Sequence, residues 1–174
     1  CSELVYPELA EDVGYLWQAS EVLSELSDSE VTRQRTNYAS VDRNRYIRTS
    51  INHQVLDFTP SNFAKNQVGL LNTKSTIEAQ RLINFIRGLD QPDMRERKLS
   101  GVSQRLGDII HSRPVAVGRP TESLHLLYND ESYLDFFRQY QERRTMVYVG
   151  ANDGMLHAFN SGWYERPKKR FTGL

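Results

Sequence analysis

The chain has 174 residues and a mass of 20.2 kDa, which suits one domain or one domain with a small appendage. Hydrophobic residues make up 39% of it and charged residues 25%, the composition of an ordinary globular protein. Its 22 basic and 22 acidic residues cancel, so whole-molecule attraction to nucleic acid or anionic lipid is excluded. Any such binding has to be local.

The single cysteine excludes several further classes. With Cys1 alone there is no internal disulfide, cysteine-based zinc site or CxxC redox pair. No apolar run is long enough to span a membrane, and no signal segment opens the sequence. Because the chain begins at Cys1 and not at Met, we expect it to be processed or cut from a longer sequence. For the Cys1-Ser2 start, we favour an arbitrary boundary over the N-terminus of a lipoprotein after signal cleavage.

Charge is segregated along the first third of the chain. Residues 1–32 hold eight acids and no Lys or Arg, whereas residues 33–48 hold five arginines and one acid, Asp42. This predicts an acidic helix beside a basic strand, with intramolecular pairing favoured over a partner-binding patch. Arginines outnumber lysines 17 to 5, which predicts that many cations are tied to carboxylates or backbone carbonyls.

Hydrophobic periodicity and punctuation residues predict the elements of residues 1–104, which we expect to be mostly helical. The strand formers around the Asn52-His53 turn predict a β-hairpin near 45–58. The predicted helices are 8–26, a short one opened by Thr59-Pro60 and ending at Leu71, and Thr76 to Arg87 with Gly88 as its terminator.

The remainder of the chain predicts strands around one helix. A polar connection is expected at Ser100 to Gln104, and a polar loop before Glu131. The predicted elements are a strand at Pro114 to Gly118, a helix at Glu131 to Arg144, and strands at Thr145 to Gly150 and Met155 to Asn160.

The last two strands are joined by the strongest hairpin signal in the sequence, Asn152-Asp153-Gly154. A primed turn needs two residues with positive φ, and Asp153 and Gly154 are expected to supply them. Gly150, just before the turn, suits a close backbone approach. We therefore predict that Gly150, Asn152, Asp153 and Gly154 are structural turn residues.

The run VYVGANDGMLHAFN at 147–160 resembles the opening blade motif of the PilC/PilY family of type IV pilus tip-associated proteins. The upstream run LGDIIHSRPVAVG at 106–118 resembles the preceding strand in that family. Shorter segments within residues 45–97 are similar, in the same order, to its pre-propeller region. The resemblance thus spans nearly the whole chain.

The resemblance implies an α+β fold, with a helical pre-propeller region at 1–104 and the first strands of an incomplete β-propeller at 105–174. It implies a non-enzymatic fragment of a pilus-tip biogenesis factor and adhesin that meets minor pilins and surfaces or host cells. Such a protein is secreted through the periplasm to the cell surface. The calcium loop of the family has no counterpart here, so no cofactor is expected in this segment and calcium is expected only in the remainder of the propeller.

Two alternatives stay open. The same strand-turn-strand pattern resembles quinoprotein dehydrogenase propellers, which would repeat it every forty to fifty residues or so. Only one copy occurs here. The other alternative is a free-standing protein-interaction domain that uses the acidic helix and a basic loop.

No catalytic or metal-binding residues are predicted. Asp108, His111 and Ser112 lie close in sequence, but no GxSxG nucleophile elbow accompanies them. The four histidines are scattered without metal-ligand spacing.

One segment is a candidate interaction loop, because it combines aromatic and cationic side chains. It is suited to an anionic glycan or a pilin surface, although a solvated loop is favoured and no nucleic-acid partner is expected. Its candidate residues are Trp163, Tyr164, Arg166, Lys168, Lys169 and Arg170.

Overall fold

The computed structural model describes residues 17–38, 43–63, 68–165 and 170–172. The chain forms two compact units, Cys1–Arg105 and Leu106–Leu174. This division falls next to the boundary predicted after residue 104. None of the helices in the described ranges is both long enough and apolar enough to cross a membrane.

The described part of the predicted helix 8–26 holds one short helix, and a second short helix follows it. α1 spans Ala19–Ser24 and α2 spans Asp28–Thr32. The predicted helix is too long within the described residues, because Gln18 is extended, with φ −122° and ψ 122°, and α1 ends at Ser24. Sequence analysis did not predict α2, which begins at the capping box of Ser27 and Glu30. Residues 8–16 lie outside the described residues.

The predicted hairpin is present. β1, Arg48–Ile51, pairs antiparallel with β2, Gln54–Asp57. Its two turn residues both have positive φ, 49° at Asn52 and 65° at His53. These values fit a primed two-residue turn without glycine.

The helix predicted from Thr59-Pro60 to Leu71 is only partly right. α3 is the short helix Pro60–Phe63, whereas Val68–Leu71 is a 3-10 helix, and 64–67 lie outside the described residues. α4 spans Thr76–Arg87 as predicted. The Ser75 hydroxyl accepts from the Glu78 amide at its start, and Gly88 ends it with φ 111°.

A second hairpin replaces the polar connection predicted at Ser100 to Gln104. β3, Lys98–Leu99, pairs with β4, Val102–Ser103. The turn residues Ser100 and Gly101 have φ of 50° and 83°. Glycine tolerates such a φ freely, which is why the chain can reverse within two residues.

The first unit is organised around the fully buried side chain of Arg87 at the end of α4. Its Nη1 donates to the Phe58 carbonyl at 2.8 Å and to Gln34 Oε1 at 3.1 Å, and its Nη2 donates to the Arg33 carbonyl at 2.9 Å. Burial lowers the pKa of Arg87, and the Asp57 carboxylate acts in the opposite direction. The guanidinium thus connects α4 to Arg33, just after α2, and to Phe58, just after β2.

Other arginines also donate to backbone carbonyls. Arg105 donates to the carbonyls of Gly88, Leu23 and Ser24 at 3.1, 3.0 and 2.7 Å. Arg45 donates to the Arg87 carbonyl. These contacts confirm the prediction that the arginine excess serves carbonyl and carboxylate pairing.

The second unit contains three strands and two helices. In chain order they are β5 Val115–Val117, α5 Leu124–Tyr128, α6 Glu131–Tyr140, β6 Met146–Gly150 and β7 Leu156–Asn160. The strands form an antiparallel sheet in the order β5-β6-β7. α5 replaces part of the predicted polar loop. α6 ends before Arg144, and the Arg143 guanidinium beyond it donates to the Gly118 carbonyl.

A further hairpin follows. β8, Trp163–Glu165, pairs antiparallel with β9, Arg170–Thr172. The segment predicted as a loop therefore has strands at both ends. Residues 166–169 lie outside the described residues.

We predict that Arg87→Met lowers the free energy of unfolding by about 3 kcal/mol or more, because it leaves buried acceptors without donors. Urea denaturation followed by circular dichroism measures this. The exposed Arg95 is the control, and Arg95→Met should change stability by less than about 0.5 kcal/mol. Equal stability of the two variants would contradict the role assigned to Arg87.

Candidate functional site

The β6–β7 turn is a three-residue loop. The Gly154 amide donates to the Ala151 carbonyl and the Ala151 amide to the Met155 carbonyl, both at 3.1 Å. Gly154 has φ 80°, but Asp153 is not among the residues with positive φ. The predicted primed two-residue turn is therefore wrong. The pattern is a β-turn closed by a left-handed glycine, the usual form of a three-residue hairpin loop.

The Asp153 carboxylate is the centre of this turn. Its Oδ1 accepts from the Met155 amide at 3.0 Å. Its Oδ2 accepts from the Gly107 amide at 3.3 Å and lies 2.8 Å from His157 Nε2. The side chains of His157 and Asp153 are only 10% and 20% exposed. The carboxylate thus holds its own turn and also the chain near residue 107.

Residues 107–112 are attached to the same end of the hairpin at two further points. The Asn152 amide donates to the Asp108 carbonyl at 2.9 Å, and the Ser112 hydroxyl donates to the Gly150 carbonyl. A Cβ on Gly107 would lie 2.7 Å from the Asp153 backbone nitrogen, closer than atoms can approach. The structure therefore brings the four predicted turn residues together with a segment that sequence reasoning did not connect to them.

These contacts do not form a hydrolytic triad. The Ser112 hydroxyl is directed to a backbone carbonyl, and within residues 68–165 no hydrogen bond joins it to His111 or Asp108. Asp108 and His111 are both exposed. General-base activation needs the base within hydrogen-bond reach of the nucleophile.

The histidines are in separate environments. His157 stacks on Phe159 with ring centroids 5.8 Å apart, while His125 lies against Tyr133 and Phe137. His53 is an exposed turn residue. In the part of the chain that the structure describes, no group of three or more His, Cys, Asp or Glu residues could hold a metal ion.

Trp163, from the predicted interaction loop, is fixed to the segment after α6. Its indole Nε1 donates to the Glu142 carbonyl at 2.9 Å, and the Arg144 guanidinium carbon lies 4.3 Å from the ring centroid. The residue is 37% exposed. A half-exposed tryptophan held by a hydrogen bond and a cation–π contact is a rigid surface feature.

Two of the other loop candidates, Tyr164 and Arg170, lie in strands of the β8–β9 hairpin. Tyr164 is paired with Phe171, and Arg170 with Glu165, across the β8–β9 hairpin. Arg166, Lys168 and Lys169 lie outside the described residues.

We predict that Gly107→Ala destabilises the second unit by about 1–3 kcal/mol, because the added methyl group must displace the Asp153 backbone. Gly154→Ala should cost about 1 kcal/mol, because its site is open but its φ is left-handed. Thermal unfolding of both variants measures this.

Gly69→Ala is the matched control, since a Cβ there meets nothing within 4 Å and its φ is not positive. The contact assigned to Gly107 is wrong if Gly107→Ala unfolds at the same temperature as Gly69→Ala.

Comparison with known proteins bears on both segments of this site. Residues 106–169 match the model of the PilY1 β-propeller domain, a range that holds the Gly107 segment and the β6–β7 hairpin. No solved structure matches the chain.

Curated relatives match over a longer range. The chain is 37% identical over 140 residues to the type IV pilus biogenesis factor PilY1 of Pseudomonas aeruginosa, which covers 71% of this chain and 11% of the relative. It is 38% identical over 107 residues to a PilY1 homolog of Xylella fastidiosa, with 59% of this chain and 9% of the relative covered. The chain thus spans about a tenth of the length of these relatives. The predicted resemblance to the PilC/PilY family of type IV pilus tip-associated proteins is confirmed, and residues 106–169 carry the pattern of the PilY1 β-propeller domain.

Proposed function

We propose that this chain is a non-enzymatic part of a type IV pilus biogenesis factor, with its second unit forming the first strands of a β-propeller. The observation that carries the proposal is the joining of the two family-like runs. Gly107, Asp108 and Ser112 contact the β6–β7 hairpin within the range that matches the propeller model. The two runs therefore belong to one structural unit, which argues against two coincidental similarities.

The exposed apolar surface of the second unit supports a propeller that continues through further strands. All three residues of β5 are exposed. Leu126, Leu127 and Leu156 are 78%, 71% and 73% exposed. Isolated domains rarely leave so many large apolar side chains in water. Further strands and blades of the same propeller are the cover that we propose.

The proposed role of the whole protein follows its relatives. We expect it to act at the cell surface with minor pilins and other pilus-tip components, and to support attachment to abiotic surfaces or host cells. No cofactor is proposed for this segment, and calcium is assigned to the remainder of the propeller. Trp163 and the basic residues that follow it are the proposed contact for a pilin or an anionic glycan, because the anchored indole offers a rigid aromatic surface.

Among the alternatives, a quinoprotein fragment has less support, because the propeller model that matches is that of PilY1. A free-standing interaction domain would have to cover the apolar residues of β5 and α5 by itself. The exposure of those residues favours the propeller instead.

A chimera tests the pilus role. The 140 matching residues of the Pseudomonas aeruginosa relative are replaced by those of this chain, in a strain that lacks its own copy. We expect sheared surface pilin to return to near wild-type amounts. The same chimera with Gly107→Arg, which would break the contact of residue 107 with the β6–β7 turn, should restore little surface pilin. A stable, exported chimera that leaves the strain without surface pili would contradict the proposal.

A second prediction concerns the apolar surface. The isolated 174-residue chain should self-associate at micromolar concentrations and bind a hydrophobic dye, because an uncovered sheet edge and apolar helix attract partners. Light scattering on Leu127→Glu should show weaker association. Leu99→Glu is the control, since Leu99 is 69% exposed in the first unit. A strictly monomeric wild-type chain that binds no dye would remove the support for a continuing propeller.

A further inference from the structure

Two stacked tyrosines in the first unit lie against two arginines. The rings of Tyr38 and Tyr46 are nearly parallel, at 10°, with centroids 6.0 Å apart. The Arg35 guanidinium carbon is 5.6 Å from the Tyr38 centroid and 6.0 Å from that of Tyr46. Arg48 lies over Tyr46 at 5.6 Å. We call these four residues the Tyr–Arg cluster.

Both cations of the cluster are held in place by other groups. Arg35 Nε donates to the Asn37 carbonyl at 3.1 Å and its Nη2 to the Tyr38 carbonyl at 3.0 Å. Arg48 Nε lies 3.3 Å from Asp57 Oδ1. Fixing a guanidinium in advance reduces the conformational entropy that binding would otherwise cost.

The cluster is accessible. The Arg48 side chain is 58% exposed, and Tyr38 is 46% exposed. Among the described residues, the Arg48 guanidinium has one ion-pair contact, from its Nε to Asp57 Oδ1, and no hydrogen bond or ion pair from its two terminal nitrogens. These N–H groups can therefore donate to a ligand.

The side chains of the Tyr–Arg cluster favour one class of ligand. Each tyrosine already has the other ring against it, and Arg48 also covers Tyr46, so the rings are poor platforms for a stacked base or sugar. An arginine fork pairs best with a planar carboxylate, which accepts two parallel hydrogen bonds. Arg35 lies in the same cluster and adds a second positive charge, which favours a ligand with more than one carboxylate.

The chain itself shows this type of pairing close by. Arg43 Nη2 lies 3.1 Å from Glu25 Oε2, so an acidic helix and the arginine-rich segment do meet. That pair leaves Arg48 uninvolved. We propose that the Tyr–Arg cluster binds a carboxylate-rich segment of another protein, with Arg48 as the main anchor.

Binding of a fluorescent decaglutamate peptide to the full chain tests the proposal, with decaglutamine as the uncharged control. We expect binding of decaglutamate only, weakening as ionic strength rises. Arg48→Gln should lower the affinity about fivefold. Arg48→Lys should lower it too, because an ammonium cannot present the fork. Arg95→Gln, at an exposed arginine of the same unit, should change it less than about twofold.

Three outcomes would overturn the proposal. Equal losses for Arg48→Gln and Arg95→Gln would indicate general charge attraction. A sulfated oligosaccharide that binds more tightly than decaglutamate and needs Arg48 would indicate a glycan and not an acidic protein. A gain in peptide affinity on removal of residues 1–16, which hold acids and no bases, would assign the surface to the chain's own acidic segment. Circular dichroism of each variant confirms that the fold is kept.

Discussion

The first unit depends on the buried guanidinium of Arg87. Its strands are paired only two at a time, so many backbone carbonyls between elements have no partner in a sheet ladder. Arg87 donates to two of these carbonyls and to the amide oxygen of Gln34. Burying a cation costs several kcal/mol, and hydrogen bonds of this kind, with the Asp57 carboxylate nearby, are what offset it.

Gln34 extends the reach of that guanidinium. Its Oε1 accepts from Arg87 and from the Ile47 amide, and its Nε2 donates to the Ile47 carbonyl and to Asp57 Oδ1. The hairpin β1–β2 is thereby joined to α4 through two polar side chains. A leucine of similar size could fill the space of Gln34 but could satisfy none of these groups. Polar geometry, more than apolar volume, therefore specifies how these short elements meet.

The elements that sequence analysis predicted well are those with local signals at both ends. α4 has Ser75 at its start and Gly88 at its end, and its predicted bounds are confirmed. The predicted helix 8–26 is too long in its described part, because the apolar spacing continues through the extended Gln18 and as far as Leu26, whereas α1 spans only Ala19–Ser24. Periodicity reports which side of a helix is apolar, whereas caps decide where a helix ends.

The candidate site shows what local sequence signals cannot predict. The Asn-Asp-Gly run predicts a hairpin, but two-residue and three-residue loops share that signal, and only the φ of Asp153 separates them. The contact of Gly107 with Asp153 joins residues 46 apart in the sequence, so neither residue's neighbours indicate it. Arg87 was predicted only as the end of a helix, because no sequence pattern marks a cation for burial.

The hydrogen bonds of the β6–β7 turn also bear on where function can reside. Asp153 accepts from the Met155 and Gly107 amides and contacts His157, so both of its oxygens already have partners within the second unit. The turn residues that carry the family resemblance therefore have little hydrogen-bonding capacity left for a ligand. The contacts that we propose use side chains outside that run, Trp163 and Arg48, which are held by neighbouring groups but are partly exposed. The turn can thus stay unchanged while the residues proposed to contact a partner vary.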